Sequence, residues 1–381
     1  MENTTKDIVN DVKKGYITGF FDAEGCVLIS NSYVLELSIG QTHKIVLDRI
    51  DNEFKTPSGI KVLNKENYDK KGIHRKKAWR WRLRSDNTIP FLEYIYPNSI
   101  EKQQQIEIAL KYQKEIKVNS RKFRLSQIEI EQRNWFRNKL EDLKNETCNN
   151  QTLKDYDNEI KLIKIPKDIR EGKQSLLGTL EEWYKIHNID IDKINKQEQE
   201  KSECQIPYMP IYIETGYLSG FFDGEGYVGI DKGKRDSYSL RIAIGSSNFN
   251  ILKLYETKFG GRIRHPQKNK EYYKEEYQWN LDHFHTLPFL KYVQNTIIVK
   301  SRQVQLAIEF QEWHNKIGII KTCEQKQKAE WYYNTLKELK KETGEISNNI
   351  IEPEIQESIT HKSCYNKKEV SNNTRLLSDY N

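Results

Sequence analysis

Apolar and polar positions follow two regular spacings along the chain, and the same succession of spacings occurs twice. Helical spacing predicts helices over 7–24 and 208–225, and alternation predicts hairpin strands over 26–40 and 227–245. In both halves a helix, a second hairpin, a short helix and two longer helices follow. The pattern therefore predicts two copies of one mixed α/β unit that contains antiparallel strands.

The residues themselves repeat as well. GYITGFFDAEGCVLIS begins at residue 15, and GYLSGFFDGEGYVGID begins at residue 216. Further segments match in the same order, among them WRWRL with YQWNL and IEKQQQIEIAL with IVKSRQVQLAI. Repetition on this scale indicates that each copy is one structural unit of the fold. It predicts four segments: a first repeat over 1–145, a linker or small insert over 146–205, a second repeat over 206–345 and a polar tail over 346–381.

Charge and hydropathy narrow the class of protein. The 381 residues include 62 basic and 55 acidic side chains, which gives a net charge of +7. No apolar run approaches the roughly 18–20 residues of a membrane-spanning helix, so we expect no membrane association. Both repeats are basic, which fits a polyanionic partner, although a merely solvated surface explains the charge equally well.

Each of the two repeated helices contains an interior glycine, Gly19 in the first and Gly220 in the second. An interior glycine costs a helix about 0.5–1 kcal/mol relative to alanine. The same cost at matching positions indicates that the two backbones approach each other closely at these glycines.

Two acidic residues stand in the last turn of each repeated helix, Asp22 with Glu24 and Asp223 with Glu225. Negative charge there opposes the helix dipole, and side-by-side packing would add repulsion between the glutamates. A divalent cation removes that repulsion, and Mg²⁺ commonly shares carboxylate and phosphate oxygens. The pattern therefore indicates metal-assisted phosphodiester hydrolysis. The alternative is a pair of solvated helix ends, which fits one copy well but two matching copies poorly.

The motifs GFFDAEG at 19–25 and GFFDGEG at 220–226 resemble the two signature motifs of single-chain LAGLIDADG homing endonucleases. The resemblance extends over about 1–145 and 206–345. It implies a mixed α+β fold in which the motif helices pack at a pseudo-twofold axis and two antiparallel sheets form a saddle over DNA. By position it also implies two sets of residues: Glu24 and Glu225 as catalytic metal ligands, and Gly19, Asp22, Gly220 and Asp223 at the motif interface.

Three further residues are assigned to catalysis by the same resemblance. Lys102 and Lys300 stand near predicted helix starts, where a cation is again unfavourable, and the resemblance implies that they organise water or stabilise charge on the phosphate. Two exposed lysines are the alternative. Gln41 matches a position that often orders solvent in the family, but its counterpart is Ser246. The histidines show no repeated arrangement.

A predicted strand over 79–84 alternates Trp, Trp and Leu with three arginines, and residues 70–84 hold eight basic side chains and no acid. One face of that strand is then apolar and the other cationic. Arginine can read guanine edges, and Gln or Asn can read adenine. An edge strand protected by charge is the alternative. The predicted DNA-binding residues are Arg75, Lys76, Lys77, Arg80, Arg82, Arg84, Arg241, Gln278 and Asn280.

With the resemblance, the sequence predicts a site-specific, metal-dependent double-strand DNA endonuclease of intron homing. It would act with Mg²⁺, as a monomer shaped like a dimer, on a long asymmetric target. An intron RNA-binding maturase that assists splicing is the main alternative, and a non-catalytic DNA-binding regulator is weakened by the intact acids. The bias towards Asn, Lys and Ile suggests an AT-rich genome, which points to a chloroplast or mitochondrion.

Overall fold

A computed structural model describes residues 5–68, 74–116, 125–145, 209–234, 237–264, 276–281, 283–318, 320 and 322–341. The predicted linker (146–205) and tail (346–381) lie outside the described residues. Their organisation, and the segment boundaries that they define, stay predictions.

The first half contains five α-helices and six strands within the described residues. They are α1 (Thr5–Glu24), β1 (Gly25–Ile29), β2 (Leu35–Gln41), α2 (Lys44–Glu53), β3 (Lys61–Asn64), β4 (Asn67–Tyr68), β5 (His74–Arg75), β6 (Ala78–Arg84), α3 (Ile89–Ile95), α4 (Gln103–Glu115) and α5 (Gln127–Asn145). This order is the predicted one, with the small β4–β5 hairpin added between the main strands.

The second half repeats that order without the small hairpin in its described part. Its elements are α6 (Ile211–Glu225), β7 (Gly226–Lys232), β8 (Tyr238–Ser246), α7 (Phe249–Phe259), β9 (Arg262–Arg264), β10 (Tyr277–Leu281), α8 (His283–Val293), α9 (Ser301–Ile317) and α10 (Cys323–Leu339). No helix in the described ranges is long and apolar enough to cross a membrane.

Each half builds one antiparallel four-stranded sheet. The strand orders are β1-β2-β6-β3 and β7-β8-β10-β9, so the hairpin that follows each motif helix lies at one side of its sheet. The α+β fold class predicted from the sequence is therefore confirmed. Because the side chains of a strand point alternately to opposite faces, each sheet has one face towards helices and one towards solvent.

A tryptophan anchors the core of each half at equivalent places. Trp81 packs against Phe91 with ring centroids 5.0 Å apart, and Trp279 packs against Phe289 at 5.5 Å. Each buried indole N–H donates to a backbone carbonyl, Phe54 O in the first half and Gly260 O in the second. The two cores thus repeat even where the intervening sequence has diverged.

The motif helices α1 and α6 pack directly against each other and join the halves. A Cβ placed on Gly19 would lie less than 3.0 Å from Tyr217 O, and one on Gly220 less than 3.0 Å from Tyr16 O. Gly15 and Gly216 face the opposite helix in the same way, against Ile213 O and Val12 O. Glycine is therefore required at four places because backbone meets backbone there.

The motif helices end at Glu24 and Glu225, directly before Gly25 and Gly226, and Gly226 is extended there with φ −72° and ψ 148°. Both glycines exclude a side chain because a Cβ would lie less than 3.0 Å from the ring and carbonyl of Phe21 or Phe222. Helices α4 and α9 begin at Gln103 and Ser301, later than the starts near 99 and 297 that the helical spacing predicts.

Candidate active site and nucleic-acid surface

The late start of α4 is explained by Asp22, which is fully buried in the last turn of α1. Its carboxylate accepts hydrogen bonds from Ser99 Oγ at 2.6 Å, Ile100 N at 2.7 Å, Glu101 N at 3.0 Å and the Tyr217 hydroxyl at 2.7 Å. The N–H groups of residues 100 and 101 donate to this carboxylate and not to carbonyls of a preceding helical turn, and α4 begins only after them, at Gln103. Asp22 therefore ties together three segments, one of them from the other half.

Asp223 is equally buried and makes the reciprocal set of bonds. It accepts from the Tyr16 hydroxyl at 2.6 Å, Ile298 N at 2.7 Å, Val299 N at 2.8 Å and Lys300 N at 2.8 Å. Burial, followed by the nearby aspartate charge, raises the pKa of Tyr16 and of Tyr217 well above 10.0. Both hydroxyls therefore stay protonated as donors across the helix pair.

Glu24 and Glu225 are the last residues of the two packed helices and immediately precede strands β1 and β7. A Cβ on Gly224 would lie 3.1 Å from Glu24 Cγ, which shows how closely the two helix ends approach. Removal from water raises the pKa of both carboxyls. The charge of Glu24 raises the pKa of Glu225 further. The two groups therefore repel each other at the centre of the molecule.

Lys102 and Lys300 stand directly before α4 and α9 and reach back to the ends of the motif helices. Lys102 Nζ donates to Asp22 O, and Lys300 Nζ donates to Asp223 O and, at 3.0 Å, to Gly224 O. The ammonium charges of both lysines act to lower the pKa of Glu24 and Glu225, against the desolvation. Burial lowers the pKa of Lys300 itself. Each lysine thus satisfies carbonyls that a helix end leaves unpaired.

The strand ends of one half lie beside the lysine of the other half. Ser246, at the end of β8, donates through Oγ to Glu101 Oε2 at 3.2 Å. His43 lies just after β2. Burial and then the charges of Lys76 and Lys300 lower its pKa, and the charge of Asp223 acts in the opposite direction. The site is therefore assembled as two clusters that each draw on both halves.

The Lys300 cluster comprises Glu24, His43, Asp223 and Lys300, and the Lys102 cluster comprises Asp22, Glu101, Lys102, Glu225 and Ser246. Lys300 acts on Glu24 more strongly than Lys102 does, whereas Lys102 acts more strongly on Glu225. Gln41 stands at the end of β2, and its Oε1 accepts from Thr42 N at 2.7 Å and from Thr42 Oγ1. A role for Gln41 in ordering solvent stays a prediction.

In the described part of the chain, no group of three or more His, Cys, Asp or Glu side chains is arranged to hold a metal ion. The paired glutamates nevertheless fit Mg²⁺, which keeps several waters and is often held by one or two carboxylates plus phosphate oxygens. Their mutual repulsion is the feature of this structure that a bound dication would relieve.

The outer face of the first sheet carries the predicted arginines. Trp79, Trp81 and Leu83 are buried, and the arginines between them point outwards. Arg84 Nε donates to Glu36 Oε2 at 2.7 Å, and Arg82 pairs with the same carboxylate at 3.5 Å. Arg80 makes no ion pair within the described residues. Two of the three arginines are therefore held by an acid that the sequence prediction did not weigh.

Lys76 and Lys77 have specific partners, and the side chain of Arg75 lies outside the described residues. Lys76 Nζ donates to Lys340 O in the other half, and Lys77 lies over the Trp79 ring at 5.0 Å. The partners fix the stems of these lysines at the side of the first sheet.

The second sheet has a less basic outer face. Asn280 Nδ2 contacts Gln278 Oε1 at 3.4 Å, and Arg241 lies 5.6 Å from the Tyr227 ring. Arg262 and Arg264 pair in register with Asn280 and Gln278 and are exposed. The alternation in RIR at 262–264 is a signal that could have placed them beside the predicted amides.

Other site residues were missed for a different reason. Gly15 and Gly216 repeat at helical spacing from Gly19 and Gly220, so that signal was present in the sequence. Glu101 and His43 carried no such signal, because their position depends on which strand end approaches which lysine.

The chain matches no protein-family model and no curated protein. Among solved structures it is similar to the LAGLIDADG meganuclease I-AabMI bound to uncleaved DNA, with 17% identity over 84% of this chain and 98% of that chain and a TM-score of 0.42. It is also similar to the LAGLIDADG homing endonuclease I-GzeII in complex with its DNA target, with 15% identity, 87% and 99% coverage and a TM-score of 0.41. It is similar as well to the meganuclease I-SmaMI bound to uncleavable DNA, with 13% identity over 87% of this chain and 98% of that chain and a TM-score of 0.48.

Proposed function

We propose that this protein is a site-specific double-strand DNA endonuclease whose active centre is the pair Glu24 and Glu225. The observation that carries the proposal is the placement of Glu24 and Glu225 at adjacent helix ends, to which Lys102 and Lys300 also reach. The C-terminal end of a helix favours cations over carboxylates, so the two acids at these ends reduce the stability of their helices. Perturbed carboxyls beside buried ammonium groups are typical of functional sites.

Glu24 and Glu225 would hold divalent metal, and Mg²⁺ is the ion that we propose. When bound, the metal would supply an acidified water and stabilise the negative charge on the phosphate oxygens. Lys102 and Lys300 would place positive charge beside the reacting phosphates, where preorganised charge is most effective. Asp22 and Asp223 would keep both lysines at the helix ends through the turns that they hold.

The outer faces of the two sheets would contact the DNA. Arg80, Arg82 and Arg84 in the first half and Gln278 and Asn280 in the second offer different hydrogen-bonding groups to base edges. Unequal faces on one chain fit a long asymmetric target that a monomer binds in the manner of a dimer. We further propose that the reaction serves intron homing in an organelle, in keeping with the AT-rich coding bias.

The test needs a substrate, and the reading frame supplies one. A homing enzyme cuts the version of its insertion site that lacks its own gene, so the two flanking sequences are joined and cloned. The purified full chain is then incubated with this plasmid and Mg²⁺, and linear product is measured. Glu24→Gln and Glu225→Gln should each reduce cleavage at least about 10²-fold while binding persists.

Glu338→Gln is the matched control, because Glu338 is an exposed helix glutamate that pairs with Lys341. It should cleave like the unaltered chain. Cleavage that survives in both motif variants would refute the proposed centre. Tight binding of the intron RNA with rescue of splicing and no DNA cutting would instead identify a maturase.

A further inference from the structure

The two clusters at the helix ends are related by the repeat but differ in chemistry. Glu101, in the Lys102 cluster, has Val299 as its counterpart in the other half. Ser246, which holds Glu101 by a hydrogen bond of 3.2 Å, has Gln41 as its counterpart. The duplicated framework therefore carries an additional carboxylate on one side.

The position of Glu101 is fixed by two hydrogen bonds, and a third bond holds its partner Ser246. Its backbone N–H donates to Asp22, and its side chain accepts from Ser246 Oγ, which in turn accepts from Asn248 N at 2.9 Å. Burial raises the pKa of the Glu101 carboxyl, and the nearby charge of Glu225 adds to that rise. At the matching place Val299 makes only the backbone bond to Asp223, because its side chain has no polar atom.

A second acid reinforces the difference. Glu276, just before β10, also acts on Glu225, and its Oε1 would lie 3.4 Å from a Cβ on Gly245. The matching residue in the first half is Ala78, the first residue of β6. Among the described residues, Glu101 and Glu276 thus place two carboxylates near Glu225, and their counterparts Val299 and Ala78 place none near Glu24.

We infer that the two DNA strands are cut at unequal rates, and that the strand beside the Lys102 cluster is cut second because Glu101 repels its phosphate. This inference rests on the proposed endonuclease function. In either strand the oxygen of water bonds to phosphorus and the bond to the 3′ oxygen breaks. The proton that water loses is matched by the proton that the 3′ oxygen gains.

Glu101 acts here as a positioning residue, through the charge that it places beside the substrate. A unit charge near the reacting phosphate in a partly solvated site changes the rate roughly fivefold to tenfold. The nicked intermediate should therefore accumulate, and its cut strand should be the one beside the Lys300 cluster.

The experiment follows both strands of one duplex. The joined flanking sequence is labelled with a different fluorophore on each strand and incubated with the full chain and Mg²⁺. Lys300→Met and Lys102→Met first identify which strand belongs to which cluster, because each should slow its own strand more. Glu101→Val, which copies Val299, should then accelerate the second strand and bring the two rates within about twofold.

Two variants separate charge from packing. Glu101→Gln keeps a hydrogen-bond partner for Ser246 and should equalise the strands as Glu101→Val does. Val299→Glu should slow the strand beside the Lys300 cluster and remove the order of cutting. A merely structural role for Glu101 would slow both strands alike and leave their ratio unchanged, which overturns the inference.

The outcomes also distinguish this inference from the proposed function. Equal rates for the two strands in the unaltered chain, or a ratio that Glu101→Val and Glu101→Gln leave unchanged, overturn the strand order and leave the endonuclease intact. Absence of cutting in either strand overturns the endonuclease and the inference together.

Discussion

The motif helix pair and the outer sheet faces show opposite effects of the same duplication. At the helix pair, glycine meets a carbonyl and tyrosine meets an aspartate in both directions. On the sheets, three arginines in β6 correspond to Gln278, Asn280 and an acid in the second half. Residues have stayed equal where two backbones must touch and have diverged on the outer faces of the sheets. Equality within the chain therefore marks geometric necessity, and the diverged faces are those that we propose to contact DNA.

The strongest test of that comparison replaces the central glycines. Gly19→Ala and Gly220→Ala each place a methyl group less than 3.0 Å from a backbone carbonyl, so the helices must separate. We expect each variant to lose about 3 kcal/mol of unfolding free energy, at the upper end of overpacking costs. Urea denaturation measures the loss, which should be the same for both.

Gly245→Ala serves as the control for these two variants. Its Cβ would meet only Glu276 Oε1, at 3.4 Å, so its stability should change little. If Gly19→Ala remains within about 0.5 kcal/mol of the parent chain, the close contact of the helices is wrong.

The next largest effect concerns the crossed hydrogen bonds. Tyr16→Phe and Tyr217→Phe each remove a hydroxyl donor from a fully buried aspartate. We expect a loss of about 2 kcal/mol for each, because hydrogen bonds to charged groups are among the stronger ones. Tyr33→Phe, which removes a bond to the neutral amide oxygen of Asn134, should cost about half as much. Thermal denaturation of the three variants would expose any inequality between the two aspartates.

The sheets should respond unequally, even within one strand. Arg80 has no ion pair within the described residues, whereas Arg84 must leave Glu36 before it can bind phosphate or a base. Arg80→Ala should weaken DNA binding and lower the slope of log affinity against log salt by about 1. Arg84→Ala should change that slope less. Fluorescence anisotropy without Mg²⁺ measures both, and equal slopes would show that Glu36 does not restrain Arg84.

The smallest effect that we expect is on the pH dependence of stability, through His43, whose counterpart in the second half is Asn248. Burial and then the lysine charges lower the pKa of His43 below 6.5, so the folded protein binds its proton less readily than the unfolded chain. Stability should therefore fall as pH drops through 6.5 towards the folded pKa. His43→Asn should reduce that fall between about pH 7.5 and about pH 5.5. Identical melting curves against pH for the two proteins would contradict the placement of His43.

Much of the fold was predictable because the repeat supplies each local pattern twice. Gly19, Gly220 and the paired acids stood out by breaking helix preferences at matching positions. The starts of α4 and α9 were not predictable, since the N–H groups of 100–101 and 298–300 turn towards a distant aspartate. Sequence spacing carries no record of such a long-range acceptor.

The residues of the Lys102 and Lys300 clusters could be predicted from the sequence only in part. Lys102 and Lys300 were found by repetition, but their carbonyl acceptors follow from the way each loop folds against the other half. Glu101 and Ser246 are 145 residues apart and meet only because the halves cross. Glu36 sits in an alternating strand like any outward polar residue, and its hold on Arg82 and Arg84 follows from strand register.

Each motif aspartate accepts a hydrogen bond from a tyrosine hydroxyl of the opposite helix, so neither half alone supplies all the donors of its aspartate. A lone half would expose the face of its motif helix that carries two of the four contact glycines. Its motif aspartate would also lack the hydrogen bond from the opposite tyrosine. If one half were replaced by a half from another chain, folding should consequently depend on whether the contact face of its motif helix matches that of α1 or α6. Halves with different sheet faces could then be combined through this helix pair while the residues at the helix ends stay unchanged.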